Sequence, residues 1–206
     1  MSFIRRFILP KEVDFDIALQ AQARIARMIV SDLHSACIDE EIKNLDRITG
    51  HADEARVLKT KNMNELLDVF IAPYDKESIY RIITQLDWIA LSVKHFKLEA
   101  EAYGVVSIGR YQSIVELLLE MAGLLEQCIT RLSAKSPRVI SLDTDIIHDQ
   151  YDHVVVLCAQ SVAELLKKDD CKQILIQRDI LAQLKEIAKR IHVTANTLED
   201  MAIKLT

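Results

Sequence analysis

The sequence predicts an all-α protein of six long helices arranged as two antiparallel three-helix bundles, and three observations lead there. Glycine and proline are scarce, 4 and 3 residues in 206, which leaves little turn chemistry for a many-stranded fold. Hydrophobic residues make up 50% of the chain and recur at helical spacing along nearly its whole length. Glu65-Leu66-Leu67-Asp68 followed by Gln85-Leu86-Asp87-Trp88-Ile89-Ala90 is echoed at nearly the same spacing by Glu164-Leu165-Leu166-Lys167 and Gln183-Leu184-Lys185-Glu186-Ile187-Ala188, as in two related three-helix units. The units are expected to span 1–104 and 105–206 and to form one structural body.

The first helix carries Phe15, Ala18, Gln22, Ile25, Ile29 and Leu33 on one face. A more polar second helix over about 40–70 holds Ile42, Leu45, Ala52, Ala55, Met63, Leu66 and Phe70, with Gly50 as an internal weakness of about 1 kcal/mol relative to alanine. Asp39 is expected to cap it and Pro73 to end it, while Asp75 is placed to cap the third helix, whose seam runs Ile79, Ile82, Leu86, Ile89, Val93, Phe96. Gly104 and Gly109 separate the third helix from the fourth, which reads Ile114, Leu118, Met121, Leu125, Cys128, Leu132. The stretch Ser133 to Ser141, with Pro137, leads to a fifth helix reading Ile147, Tyr151, Val154, Cys158, Ser161, Leu165. Lys167-Lys168 at a helix end and Asp169-Asp170 at the next start match the helix dipole. The sixth helix follows with Leu181, Leu184, Ala188, Ile191, Ala195, Leu198, Ala202 and Leu205.

Composition narrows the function classes. Twenty-six Lys and Arg against 31 Asp and Glu give a net charge of −5, without the clustered positive charge that releases counterions from nucleic acid. Cys37, Cys128, Cys158 and Cys171 are widely spaced, which argues against a zinc site or a disulfide framework and fits a reducing cytoplasm. Cys128 and Cys158 fall on seams as core residues. The short apolar stretch before Pro10 is not expected to act as a signal peptide, and the longest apolar runs fall far below the ~20 residues that cross a bilayer. Gly50, Gly104, Gly109 and Gly123 are isolated, so no phosphate-cradling loop for nucleotide hydrolysis is present.

Phe70-Ile71-Ala72-Pro73-Tyr74-Asp75-Lys76-Glu77-Ser78-Ile79-Tyr80, followed by Leu86-Asp87, resembles the signature of PhoU-like phosphate-transport regulators. It is most similar to their cytoplasmic subfamily that accompanies Pit-type inorganic phosphate permeases, where the stretch runs Phe-Ile-Thr-Pro-Phe-Asp-Arg-Glu-Asp-Ile and leads into a helix with Leu-Asp-Asp. Leu9-Pro10-Lys11-Glu12 with Asp14-Phe15, and Leu198-Glu199-Asp200-Met201-Ala202, extend the resemblance over essentially the whole chain. It implies a PhoU-like fold and a cytoplasmic, non-enzymatic role in phosphate transport, exerted on a Pit-type permease or a signalling partner. The residues themselves make the motif a helix-to-helix corner, with Phe70 and Tyr74 expected to anchor it by burial and Lys76 and Glu77 exposed.

PhoU-like proteins commonly carry Glu-x-x-x-Asp and Asp-x-x-x-Asp pairs that hold iron or similar cations, because carboxylates at i and i+4 share a helix face. By this resemblance the pairs fall on Ala52 and Arg56, Asp87 and Leu91, Tyr151 and Val155, and His192 and Asn196, so Asp87 alone remains a carboxylate. Arg56 stays charged and would repel a cation. The family's multinuclear clusters are therefore expected to be weak or absent.

A displaced site for iron or another divalent metal remains open at Asp145, His148, Asp149 and Asp152, at i, i+3, i+4 and i+7 on the fifth helix with His153 beside them. An acidic, solvated helix start explains the same residues. His51, Asp53 and Glu54 form a second polar cluster, and Trp88 is either core filler or a partner contact. A ferritin-like di-metal oxidase would need more Glu-x-x-His motifs than the single Asp145-x-x-His148 offers. The sequence thus favours an accessory protein of phosphate transport over a metal-binding bundle, with broad helix faces suited to a homodimer.

Overall fold

Each apolar seam lies on one face of a helix, so no helix can bury its seam alone, and the chain must fold helix upon helix. The computed structural model describes residues 13–39 and 45–205. Within them run α1 (Phe15–Ile38), α2 (Asp46–Asp68), α3 (Lys76–Ala102), α4 (Gln112–Leu132), α5 (Pro137–Leu165) and α6 (Cys171–Ile203), with one 3₁₀ turn at Gly109–Tyr111. Leu9 to Glu12 and Ile42 lie outside the described residues.

The helices pack in two sets of three. In the first, α1, α2 and α3 all touch one another, and α4, α5 and α6 do the same in the second. The sets join through α1 against α4 and α3 against α6, so α1, α3, α6 and α4 enclose the core, with α2 and α5 on its two flanks. The expected seams of α3 and α4 are buried at every position, as is that of α6 from Leu181 to Ala202. On α1 the buried residue is Leu19 rather than half-buried Ala18. Flanking α2 buries only Ile48, Ala52, Ala55, Asn62 and Leu66, which is why its sequence reads as polar.

The punctuation is partly where the sequence puts it, and Asp14 is a cap that it did not single out. Asp14 caps α1 by accepting the Ile17 N–H at 3.1 Å, Asp75 caps α3 through Ser78 N–H at 3.0 Å, and Asp170 caps α6 through Gln173 N–H at 3.0 Å. Pro137 occupies the first turn of α5, where its missing N–H costs nothing. Gly104 ends α3 at φ +65°, and the Gly104 and Val105 N–H groups fold back onto Glu101 and Ala100 carbonyls in a Schellman motif. α2 runs unbroken through Gly50.

Three expectations of detail are corrected. Asp39 closes the end of α1, its N–H donating to the Ser35 carbonyl at 2.9 Å, instead of capping α2, which begins after Leu45 without a side-chain cap. α2 stops at Asp68 because Val69 turns extended, so Pro73 lies within the connection rather than at the helix end. The break between α4 and α5 is only 133–136, with Lys135 at φ 48°, since proline is compatible with a helix start and the helix already includes Arg138 to Ser141.

One buried polar link ties the first set together. The Gln22 side-chain amide on α1 donates to the Ile83 carbonyl on α3 at 2.7 Å, while its Oε1 accepts from Asn62 Nδ2 on α2 at 2.9 Å. Asn62 Nδ2 also lies 3.3 Å from the Ala18 carbonyl. Asn62→Ala should leave the buried Gln22 Oε1 without this donor and cost about 1–3 kcal/mol, measurable by urea unfolding. Cys37, Cys128 and Cys158 are buried, and burial pushes the Cys128 and Cys158 thiols up to about 11, whereas Cys171 is exposed. A colorimetric thiol titration of the native protein should therefore find Cys171 reacting fast and the buried three only as the fold opens.

Candidate functional site

The corner between α2 and α3 is built by short, specific contacts. Tyr74 is 9% exposed and its hydroxyl donates to Asp16 at the start of α1; burial, and then this carboxylate, raise the phenol well above its ordinary range. Lys76 reaches back across the corner to the Val69 carbonyl at 2.6 Å, supplying a donor to the end of α2. The Asp75 carboxylate accepts from both Ser78 N–H and Ser78 Oγ, which holds it below the usual carboxylate range. Phe70 does not anchor the corner: it is 83% exposed, and Ile71 beside it is 77% exposed. The capped and tied backbone closes this turn on Tyr74 and leaves the preceding two apolar side chains outside.

Asp87 projects from the middle of α3 into a cleft shared with α2. Ala52, Arg56, Asp87 and Leu91 line one cavity of about 250 Å³ there, together with Asp53, Lys59 and Lys94. Lys59 Nζ lies 2.9 Å from Asp87 Oδ2, and Lys94 Nζ lies 3.0 Å from Asp53 Oδ1. Three cations against two carboxylates give this cleft an excess of positive charge, and its acids are already paired with lysines. Such a donor set does not fit a cluster of iron or similar cations.

The border between α5 and α6 in the second half has different chemistry. Asn196 on α6 bridges two imidazoles, its Oδ1 lying 2.5 Å from His148 Nε2 on α5 and its Nδ2 3.3 Å from His192 Nε2. The two rings are 4.6 Å apart and tilted, and the Tyr151 ring lies tilted at 4.6 Å from His192. An amide that donates to His192 Nε2 favours the neutral ring, and burial followed by the adjacent His148 lowers its pKa against the opposing pull of Asp152.

Asp145, Asp149 and Asp152 are exposed along α5, while His148 turns toward α6. Among the described residues no group of three or more His, Cys, Asp or Glu side chains gathers closely enough to hold a metal ion. His51 leaves the Asp53 and Glu54 cluster to meet Asp32 of α1 at 2.5 Å. Trp88 is 41% exposed, between the core and partner-contact alternatives, with the Arg190 guanidinium of α6 4.9 Å from its ring centre.

Sequence reasoning did not single out Lys59, Lys94 or the His192–Asn196–His148 bridge. Spacing held part of the signal: Lys59 follows Arg56 by three residues and Lys94 follows Asp87 by seven, so each shares its neighbour's helix face. Which faces meet is a tertiary fact.

The architecture is shared with two solved structures from Shewanella oneidensis MR-1. A PhoU-like protein is similar at TM-score 0.76 and 15% identity over 92% of this chain and 99% of its own. A PhoU-like phosphate regulatory protein is similar at TM-score 0.77 and 15% identity over 93% of this chain and 100% of its own. The chain thus has the PhoU-like fold that its corner motif implied. No protein-family model matches it, and no curated protein matches it in sequence.

The lowered His192 pKa sets a pH dependence. The unfolded chain takes up this proton around the ordinary 6.5 and the folded chain only at lower pH, so stability holds above that window and declines as pH falls through it. Urea unfolding across the window should show the decline, and His192→Gln should flatten it. An unchanged slope in the variant would exclude His192 as its source.

Proposed function

We propose that the chain regulates inorganic phosphate transport, without catalysis of its own, by contact in the cytoplasm with a Pit-type permease or a signalling partner. The observation that carries this reading is the fold, shared over 93% of the chain with a PhoU-like phosphate regulatory protein. The corner supports it, because Leu67, Phe70 and Ile71 are all exposed beside a rigidly capped turn, an arrangement suited to binding. No helix of the described residues is long and apolar enough to cross a membrane, so a role in transport calls for a partner that does. A second copy of the chain is a further partner suited to the broad outer faces of α2 and α5.

Labelled-phosphate uptake in source cells with and without the gene, at low and high external phosphate, tests the proposal. Loss of the gene should change uptake at one level at least, and the wild-type gene should restore it. The double variant Phe70→Asp, Ile71→Asp should accumulate as folded protein, since both side chains are exposed, yet fail to restore uptake. Unchanged uptake at both phosphate levels would overturn the regulatory reading.

A further inference from the structure

The α2/α3 cavity has the wrong chemistry for a cation and a well-matched chemistry for an oxyanion. Arg56, Lys59 and Lys94 converge on a space of about 250 Å³. Arg56 makes no ion pair among the described residues, so its planar fork of five N–H donors is uncommitted to an acid. Lys59 and Lys94 each meet one carboxylate oxygen, and an ammonium carries three donors, so both retain N–H groups for a ligand.

The Asp87 carboxylate decides which oxyanion. Asp87 is 9% exposed and lines the cavity, and Lys59 is paired with one of its two oxygens, Oδ2. An ionised carboxylate only accepts hydrogen bonds, so it repels a fully deprotonated anion and welcomes one that still carries an O–H. At neutral pH phosphate keeps such a proton, its second ionisation lying near 7, whereas sulfate has none. Size narrows the ligand further. At about 250 Å³ the space admits a small tetrahedral ion and falls below the ~300 Å³ and above of typical drug-sized ligand sites.

We infer that the cleft between α2 and α3 is a binding site for inorganic hydrogen phosphate, with Arg56, Lys59 and Lys94 as donors to its oxygens and Asp87 as acceptor of its proton. The charges of the cavity carry this inference, and it stands apart from the transport reading: a gene without effect on uptake would leave the binding result untouched.

Isothermal titration of the purified full chain in a phosphate-free, low-salt buffer at neutral pH tests it, with inorganic phosphate, sulfate and glycerol 3-phosphate titrated separately. Phosphate should bind saturably at one site per chain, and sulfate at least about tenfold more weakly, a gap of about 1.4 kcal/mol. Arg56 is exposed, so Arg56→Gln should fold normally and weaken phosphate binding at least about tenfold. Asp87→Asn should narrow the gap between phosphate and sulfate. Lys61→Gln, an exposed substitution outside this cavity, should leave binding unchanged and controls for general loss of positive charge. No saturable heat at millimolar phosphate, equal binding of sulfate, or wild-type affinity in Arg56→Gln would each overturn the site. Tighter binding of glycerol 3-phosphate would overturn the assignment to the free ion in favour of a phosphomonoester. Phosphorus NMR line widths on folded Asp87→Asn supply the same comparison if its calorimetry is complicated by the loss of Lys59's partner, and an unchanged preference for phosphate there would overturn the role of Asp87.

Discussion

Burial of apolar seams on α1, α3, α4 and α6 is the constraint from which the rest follows. These helices meet pairwise around the core, α1 with α4 and α3 with α6 joining the two halves. α2 and α5 then have one face covered by their own half and the other turned outward. Fewer apolar residues suffice to dock them, so they carry much of the polar chemistry on their remaining surface. The border where α2 meets α3 is a cleft with charged walls, and the border where α5 meets α6 carries hydrogen-bonded imidazoles. The long amphipathic helices form the core beneath these borders, and the short corner between α2 and α3 joins two of them.

The corner shows how few contacts such positioning needs. Asp75, Ser78 and Lys76 satisfy backbone groups at the end of one helix and the start of the next, and Tyr74 ties the turn to α1 through Asp16. The exposed side chains Phe70 and Ile71 have no such duty, so the same motif divides into a structural portion and a surface portion.

The two halves repeat one packing scheme and fill it with different chemistry. At the first border Arg56 and two lysines meet two carboxylates, while at the second an asparagine amide joins two imidazoles. Charged side chains attract or repel ions over several ångströms, whereas a hydrogen-bonded cluster acts at contact. The same backbone frame therefore places charged side chains at one border and hydrogen-bonded rings at the other.

The sequence by itself determined the all-α class, the six helices, most of their seams and the caps at Asp75 and Asp170, because helical periodicity and capping are local properties written into neighbouring residues. It misplaced Phe70, since a large apolar side chain is compatible with either burial or exposure and only the path of the closed turn selects between them. Lys59 beside Asp87 and His148 beside His192 are separated by 28 and 44 residues, and no spacing rule links positions on different helices. Those pairings depend on the rotation of each helix about its axis, which the packing of the whole core fixes; the identity of the helices was local information, and the chemistry of the clefts between them was decided by the tertiary structure.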